Sequence, residues 1–374
     1  MKIAGVSISR LPAVLALLAA LLAGCTRPPD LIGIENPDVP VESMQELTRH
    51  QIFIATTRQA SEVTSTFFSS GRAPEVGLAS VVVTIPPTHV VAQLERPTRL
   101  PPDPRTEFTI VDPAVYSTDD AFISEVRREL AKRPVGQRRL LLFVHGYNTT
   151  ASDAILRLAQ FVEDTGFEGV PVLFTWASAG RLSRYVYDLN SALIARSEVQ
   201  DVVGVLERTG AENVEVFAHS MGTFLTMEAL VDGAQTGRLN RRASSINHIV
   251  LASPDIDLDL FRRQLSELPL SIRQKIYLLI SEDDGALRAS RVIAGGVPRV
   301  GAADAEELEK LGVTVIDLSE IDDSTSGSHS KFAGSPEVVQ ILGVGLNQVG
   351  TFGEQDMPEL NRIIGDAPIR IQWN

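Results

Sequence analysis

The segment Ala218-His219-Ser220-Met221-Gly222 follows a β-rich run, Val214-Glu215-Val216-Phe217, and opens a helical pattern from Met221 to Val231. A serine at a sharp strand-to-helix turn can serve as a nucleophile, because the turn strains its backbone and presents the hydroxyl, and bulky neighbours would clash there. Ala218 and Gly222 meet that steric need, with Ala218 standing where glycine is usual. The Met221 amide, at the start of the helix, is placed to face negative charge developing on an attacked carbonyl oxygen. The competing role for Ser220 is that of a plain helix cap. A nucleophilic hydroxyl needs a base, and the chain has six histidines. His50 and His89 precede the regular part of the chain. His219 adjoins the serine, where neighbouring side chains diverge, and His248 lies in or just before a strand. His329 sits in the polar loop Ser324-Thr325-Ser326-Gly327-Ser328-His329-Ser330, whose small residues let an imidazole reach over a sheet edge towards Ser220. The base in turn needs a carboxylate to fix its tautomer and stabilise the imidazolium. Two loops between Ser220 and His329 supply one: Ser281-Glu282-Asp283-Asp284 and Ser253-Pro254-Asp255-Ile256-Asp257. Residues there that do not play this part are expected to form turns or cap the next helix. Together these groups could carry out acyl transfer through a covalent serine intermediate.

Such groups converge only if the elements between them alternate. Leu140 to Val144 is a continuous apolar run, the mark of a strand buried on both faces. It is followed by a helical pattern from Ser152 to Asp164, with Ser152 a candidate cap, and by a strand from Val170 to Thr175. A helix from Ser191 to Arg208 leads to the strand Val214 to Ala218. Further strands are expected at Ile246 to Ala252, Lys275 to Ile280 and Val313 to Leu318, with a short helix near Leu258 to Leu265. Strands alternating with helices imply a mainly parallel sheet covered on both sides, with chemistry collecting at the carboxyl ends of the strands. Ahead of this section lie two shorter strand signals, Gln51 to Thr56 and Ser80 to Ile85, a proline-rich loop from Arg96 to Arg105, and a helical spacing from Asp119 to Lys132. Arg181 to Asn190, with Tyr185 and Tyr187, reads either as a cap segment or as a surface loop.

The chain has 374 residues, of which 44% are hydrophobic and 22% charged, the composition of a globular protein with a sizeable core. A net charge of −13 repels phosphate backbones and excludes nucleic acid as an expected partner. No histidine–carboxylate spacing of the zinc type is present, and Gly295-Gly296 lacks the surroundings of a phosphate loop, so neither metal nor cofactor is expected. The single cysteine, Cys25, permits no internal disulfide. Lys2 and Arg10 precede an apolar run from Leu11 to Ala23, too short for a comfortable membrane span and typical of a secretory signal. Its end, Leu22-Ala23-Gly24-Cys25, resembles the bacterial lipoprotein box, which implies that Cys25 is lipidated. Burial of acyl chains at roughly 0.8 kcal/mol per methylene would hold such a protein to a membrane without a basic patch. Thr26 follows where an aspartate would signal retention, so by resemblance to lipoproteins of two-membrane bacteria the expected location is the outer membrane, facing the periplasm. The expected organisation is a signal peptide at 1–24, the lipidated cysteine and a tether at 25–48, and one domain at 49–350. Within it, 49–139 holds the first strands and a linker and 140–350 the catalytic core, with a tail at 351–374.

Taken together, the segments resemble bacterial α/β-hydrolases of the esterase/lipase-like kind, most of whose substrates are unassigned. The resemblance rests on Ile52-Phe53-Ile54-Ala55-Thr56-Thr57-Arg58, His145-Gly146-Tyr147-Asn148, Phe174-Thr175-Trp176, Ala218-His219-Ser220-Met221-Gly222, Ala252-Ser253-Pro254-Asp255, Asp284-Gly285-Ala286-Leu287 and Gly327-Ser328-His329, and extends from Arg49 to Leu342. It implies an α/β-hydrolase fold with a mainly parallel central sheet, and cleavage of a small-molecule or lipid ester by Ser220 as nucleophile and His329 as base. The acid is expected after the penultimate strand, which selects Asp284, with Asp255 next and Asp283 third. The turn after the early central strand is expected to supply the second oxyanion amide, assigned to Tyr147 with Asn148 as rival, beside Met221. His145 is expected to organise that loop. The same residues would also serve a thioesterase, amidase or acyltransferase. The other class of function open to the chain is a non-catalytic envelope lipoprotein that binds a partner through this fold.

Overall fold

Side-chain alternation along the central strands divides the interior into two cores. Leu140, Leu142 and Val144 point to one face and Leu141 and Phe143 to the other, as the two-residue period of a strand requires. The computed structural model describes residues 27–239, 245–321, 328–348 and 369–372. Its strands are β1 (Thr48–Ala60), β2 (Phe68–Ile85), β3 (Thr109–Tyr116), β4 (Arg139–Val144), β5 (Val170–Thr175), β6 (Asn213–His219), β7 (Ile246–Ala252), β8 (Ile276–Ile280), β9 (Thr314–Asp317) and β10 (Arg370–Gln372). They form one sheet in the order β10-β9-β8-β7-β6-β4-β5-β1-β2-β3. From β9 across to β1 all neighbours are parallel; β2, β3 and β10 add antiparallel edges.

Helices α1 (Asp119–Ala131), α3 (Tyr185–Glu207), α4 (Met221–Gln235) and α5 (Leu258–Glu267) cover one face, and α2 (Ala151–Thr165) and α7 (Pro336–Asn347) the other; α6 is Gly285–Ile293. On the α2 side Phe143 stacks on Phe217 with centroids 5.5 Å apart, and Phe161 and Phe332 pack against both. Each such buried phenyl ring contributes about 1.5–3 kcal/mol. This cluster also ties the short helix Lys331–Gly334 to the central strands. The chain that follows His329 is thereby fixed to the middle of the sheet.

Several elements differ from the sequence reading. β1 and β2 are much longer than their apolar centres, because the hairpin continues outward through polar residues that only pair with each other. β3 was not expected: it contains Pro113, which lacks an N–H, and it survives because it lies at the sheet edge. The segment expected as a tether is docked from Leu31 onward. Leu31 and Ile32 are fully buried, Ile32 bridges Ile110, and Val41 and Leu47 pack on Val111. Its prolines stiffen the chain without keeping it from the surface. Helix α2 is capped by Thr150 in a reciprocal box with Asp153, not by Ser152, whose hydroxyl accepts the Leu31 amide instead. Residues 181–190 form neither a separate cap nor a loop: a 3-10 turn, Leu182–Arg184, runs directly into α3. β10 lies within the region read as a tail. The signal segment, Cys25 and residues 324–327 of the histidine loop lie outside the described residues.

Candidate active site

β6 enters the turn at Ser220 and α4 leaves it. Ser220 has φ +52° and ψ −125°, a left-handed backbone that costs a non-glycine residue energy and is held here by the strand and helix on either side. Its amide donates to the Ala252 carbonyl at 3.0 Å, and its own carbonyl accepts the Thr223 amide and hydroxyl. The close packing demands glycine at two places. A Cβ on Gly222 would lie 2.4 Å from the His145 carbonyl oxygen, and one on Gly146 would lie 2.9 Å from the Ser220 Cβ. The His145-Gly146-Tyr147 turn therefore sits directly against the serine.

His329 Nε2 lies 3.0 Å from Ser220 Oγ, and its Nδ1 lies 2.8 Å from Asp284 Oδ2. Asp284 is fully buried, and its other oxygen accepts the Leu287 amide at 2.9 Å, so the start of α6 holds the carboxylate in place. The structure thus brings Ser220, His329 and Asp284 into one hydrogen-bonded chain. The other two carboxylates sit elsewhere. Asp255 accepts hydrogen bonds from Tyr185 and Ser290 and pairs with Arg299 at 3.3 Å. Asp283 accepts Ser328 Oγ at 2.5 Å and Lys331 Nζ at 3.0 Å. Burial pulls the Asp283 carboxyl upward, but hydrogen bonds from Ser281, Ser328 and Lys331 outweigh it and leave the group below the usual range. Ser328 and Lys331 bracket His329, so Asp283 clamps the loop that carries the imidazole. Lys331, itself buried, also donates to the Leu318 carbonyl.

The Tyr147 and Met221 amides meet no acceptor among the described residues. The Asn148 amide does: it donates to Asp188 at 3.2 Å, which occupies the rival donor. His145 donates from Nδ1 to the Gly146 carbonyl and accepts the Thr175 hydroxyl at Nε2, 3.0 Å away. Burial, then the Arg58 charge, push it down to about 3, so it stays neutral. Trp176 stacks on its ring and donates to its carbonyl at 2.8 Å. Arg58 donates to Thr175 Oγ1 and to the Thr149 and Ser178 carbonyls. The segments around Arg58, His145 and Trp176 therefore meet in one place, where they fix the turn beside Ser220.

The sequence reading overlooked four contributors. His219 is not turned away from the site: its Nε2 donates to the His329 carbonyl at 2.9 Å, and burial, then the nearby His329, hold it well below the usual histidine range. Lys331 and Ser328 had no sequence signal beyond closeness to His329. Tyr185, whose hydroxyl donates to Asp255 and whose ring meets Tyr147 edge-on at 5.3 Å, is pushed upward by burial and by Asp255. Among the described residues no three His, Cys, Asp or Glu side chains gather as a metal-binding group.

The model of a family described as "Alpha/beta hydrolase of unknown function (DUF900)" matches residues 118–345, which take in Ser220, His329, Asp284, Tyr147 and Met221 but not Arg58. No curated protein matches the chain. Among solved structures, lipase B of Aspergillus fumigatus is similar at 16% identity with a TM-score of 0.37, the match covering 62% of this chain and 57% of that one. The chain therefore spans little more than half the length of that lipase. Fungal esterase structures from Rhizomucor miehei are similar at 12% identity, 92% coverage of both chains and a TM-score of 0.35. A thermostable esterase from Pseudomonas putida is similar at 15% identity, covering 93% and 91%, with a TM-score of 0.33.

Proposed function

The chain belongs to the DUF900 family of α/β-hydrolases, and from that premise we propose that it is a serine hydrolase of carboxylic esters. Ser220 is the nucleophile, His329 the general base and then the general acid, and Asp284 the group that orients the imidazole. As Ser220 Oγ attacks the ester carbonyl carbon, its proton passes to His329 Nε2. The Asp284 carboxylate keeps the other imidazole proton on Nδ1 and stabilises the imidazolium. Negative charge that gathers on the carbonyl oxygen meets the Met221 and Tyr147 amides, with Met221 at the positive end of α4. Collapse of the tetrahedral species breaks the ester C–O bond, and His329 returns its proton to the departing alcohol. Water, activated by the same imidazole, then attacks the acyl-serine and restores Ser220.

The observation that carries this reading is the pair of hydrogen bonds through His329, 3.0 Å to Ser220 and 2.8 Å to Asp284, on a serine held at a left-handed turn. A fluorophosphonate reagent, which traps only activated serines, tests it. Wild type should be labelled and Ser220→Ala should not; folded wild type that resists labelling would leave a binding protein.

The proposal includes a location. Leu22-Ala23-Gly24-Cys25 supports a lipid anchor on Cys25, with the enzyme held at the outer membrane and facing the periplasm. Fractionation should find wild type with membranes and Cys25→Ser in the soluble fraction; equal partition of the two would remove the anchor.

A further inference from the structure

The reaction steps above leave a large feature beside the oxyanion turn unused. A cleft of about 1360 Å³ opens there, far more than a small acyl group requires. Asn148 lines it, one residue after the Tyr147 amide. So does Leu182, whose carbonyl accepts the Tyr147 hydroxyl. The wall of the cleft is therefore continuous with the turn that carries the proposed oxyanion donor.

The charge of the cleft runs against that of the chain. Arg27, Arg58, Arg181 and Arg184 line it against Asp30 and Asp153, while the whole chain carries −13. The arginines are not alike. Arg58 is buried, and its donors are taken by Thr175, Thr149, Ser178 and Ser69, so it supplies field but no free contact. Arg27 pairs with Asp153, which Arg96 also reaches at 2.7 Å. Arg181 precedes the 3-10 turn Leu182–Arg184 and Arg184 ends it; both are exposed and meet no carboxylate among the described residues. Two unpaired guanidinium groups on the rim of a concave site, with a buried third behind them, concentrate positive potential where field lines are focused by the walls. A guanidinium fork matches a pair of oxygens on a carboxylate or phosphate.

We propose that this cleft is the subsite for an anionic group, carboxylate or phosphate, on the ester that Ser220 cleaves, and that Arg181 and Arg184 hold it. The inference rests on the serine-hydrolase reading. The same chemistry is offered by a soluble acidic ester and by a lipid with an anionic headgroup.

The test compares wild type with the Arg181→Gln/Arg184→Gln variant on paired substrates. Mono-4-nitrophenyl succinate and 3-carboxyphenyl butyrate carry the anion on the acyl and on the leaving side; 4-nitrophenyl butyrate is neutral. The expected result is a kcat/KM ratio, anionic over neutral, that falls roughly tenfold or more in the variant for at least one anionic ester. That is the change expected from losing a hydrogen bond to a charged group. A ratio unchanged for both soluble esters and for the lipid pair below overturns the proposal. Micelles of 1-palmitoyl-lysophosphatidylglycerol against monopalmitoylglycerol separate the sources. A variant-sensitive preference there, and none among the soluble esters, assigns the anion to a lipid headgroup. Fluorophosphonate labelling of Ser220 in wild type and variant keeps the two readings apart: labelled protein with soluble-ester and lipid ratios all unchanged sinks the cleft alone. Where wild type is not labelled, calorimetric titration of Ser220→Ala with mono-4-nitrophenyl succinate reads the cleft without turnover. Binding weakened by the double substitution upholds it; no binding, or binding that the double substitution leaves unchanged, ends it.

Discussion

Replacing Asp284 by asparagine changes one atom in the site and almost nothing in its shape. Asp284 holds two groups at once: Oδ2 accepts from His329 Nδ1 at 2.8 Å, and Oδ1 accepts the Leu287 amide at 2.9 Å. An asparagine that keeps its oxygen on Leu287 turns its NH2 towards His329 Nδ1. Two N–H groups cannot face each other at that distance, so the imidazole proton moves to Nε2. Nε2 then cannot accept the Ser220 proton. The expected loss in kcat is about four orders of magnitude, the cost of the wrong tautomer in a site of this type, or about 5.4 kcal/mol of barrier. The folding cost is smaller, about 1–3 kcal/mol for a disturbed buried hydrogen bond. Turnover of 4-nitrophenyl butyrate and thermal unfolding of the same sample separate the two effects. Folded Asp284→Asn protein that keeps a tenth or more of wild-type kcat, or an Asp255→Asn variant that loses more than it does, would refute the assignment of the acid.

Asp283→Ala should release the loop clamped through Ser328 and Lys331, which lowers kcat by roughly ten- to hundredfold as the imidazole loses its position; steady-state kinetics should place it well above Asp284→Asn. Gly222→Ala forces a Cβ to within 2.4 Å of the His145 carbonyl oxygen, and calorimetry should record a destabilisation of about 1–3 kcal/mol or more with loss of labelling at Ser220. His89 lies between Glu95 and Asp164, where burial opposes its charge but the two carboxylates prevail and raise it to about 9 from 6.5. Its stabilising charge is therefore fully present below pH 6.5 and lost as pH rises through about 9. The melting temperature should fall over that interval in wild type, and His89→Gln should flatten that fall.

How much the sequence disclosed follows from where the constraints are local. The elbow was legible because three requirements coincide at Ser220: a strand before it, a helix after it and small neighbours on either side. The central strands were legible because burial on both faces leaves an unbroken apolar run, as in Leu140 to Val144. The outer hairpin was only partly legible, since the polar ends of β1 and β2 gain their order from each other across the chain. Pro113 concealed β3, and the packing of Leu31 and Ile32 was hidden behind a proline-rich segment whose composition suggests a tether. Among the carboxylates, local sequence left Asp255, Asp283 and Asp284 open and only the resemblance ranked them. The structure separates them by partner: Asp284 faces His329, Asp283 its flanking residues, and Asp255 Arg299. His219 was dismissed because neighbouring side chains on a turn diverge, yet its ring reaches the His329 carbonyl through the fold of a distant loop.

The central claim is that Ser220 becomes covalently acylated through the imidazole 3.0 Å away. Rapid acid quench of the enzyme with excess 4-nitrophenyl acetate, followed by peptide mass analysis, measures that directly. The account predicts an acetyl group on the peptide containing Ser220, formed in wild type and absent from His329→Ala on the same timescale. Product released by wild type with no acyl group on that serine, or with the label on another residue, would contradict it.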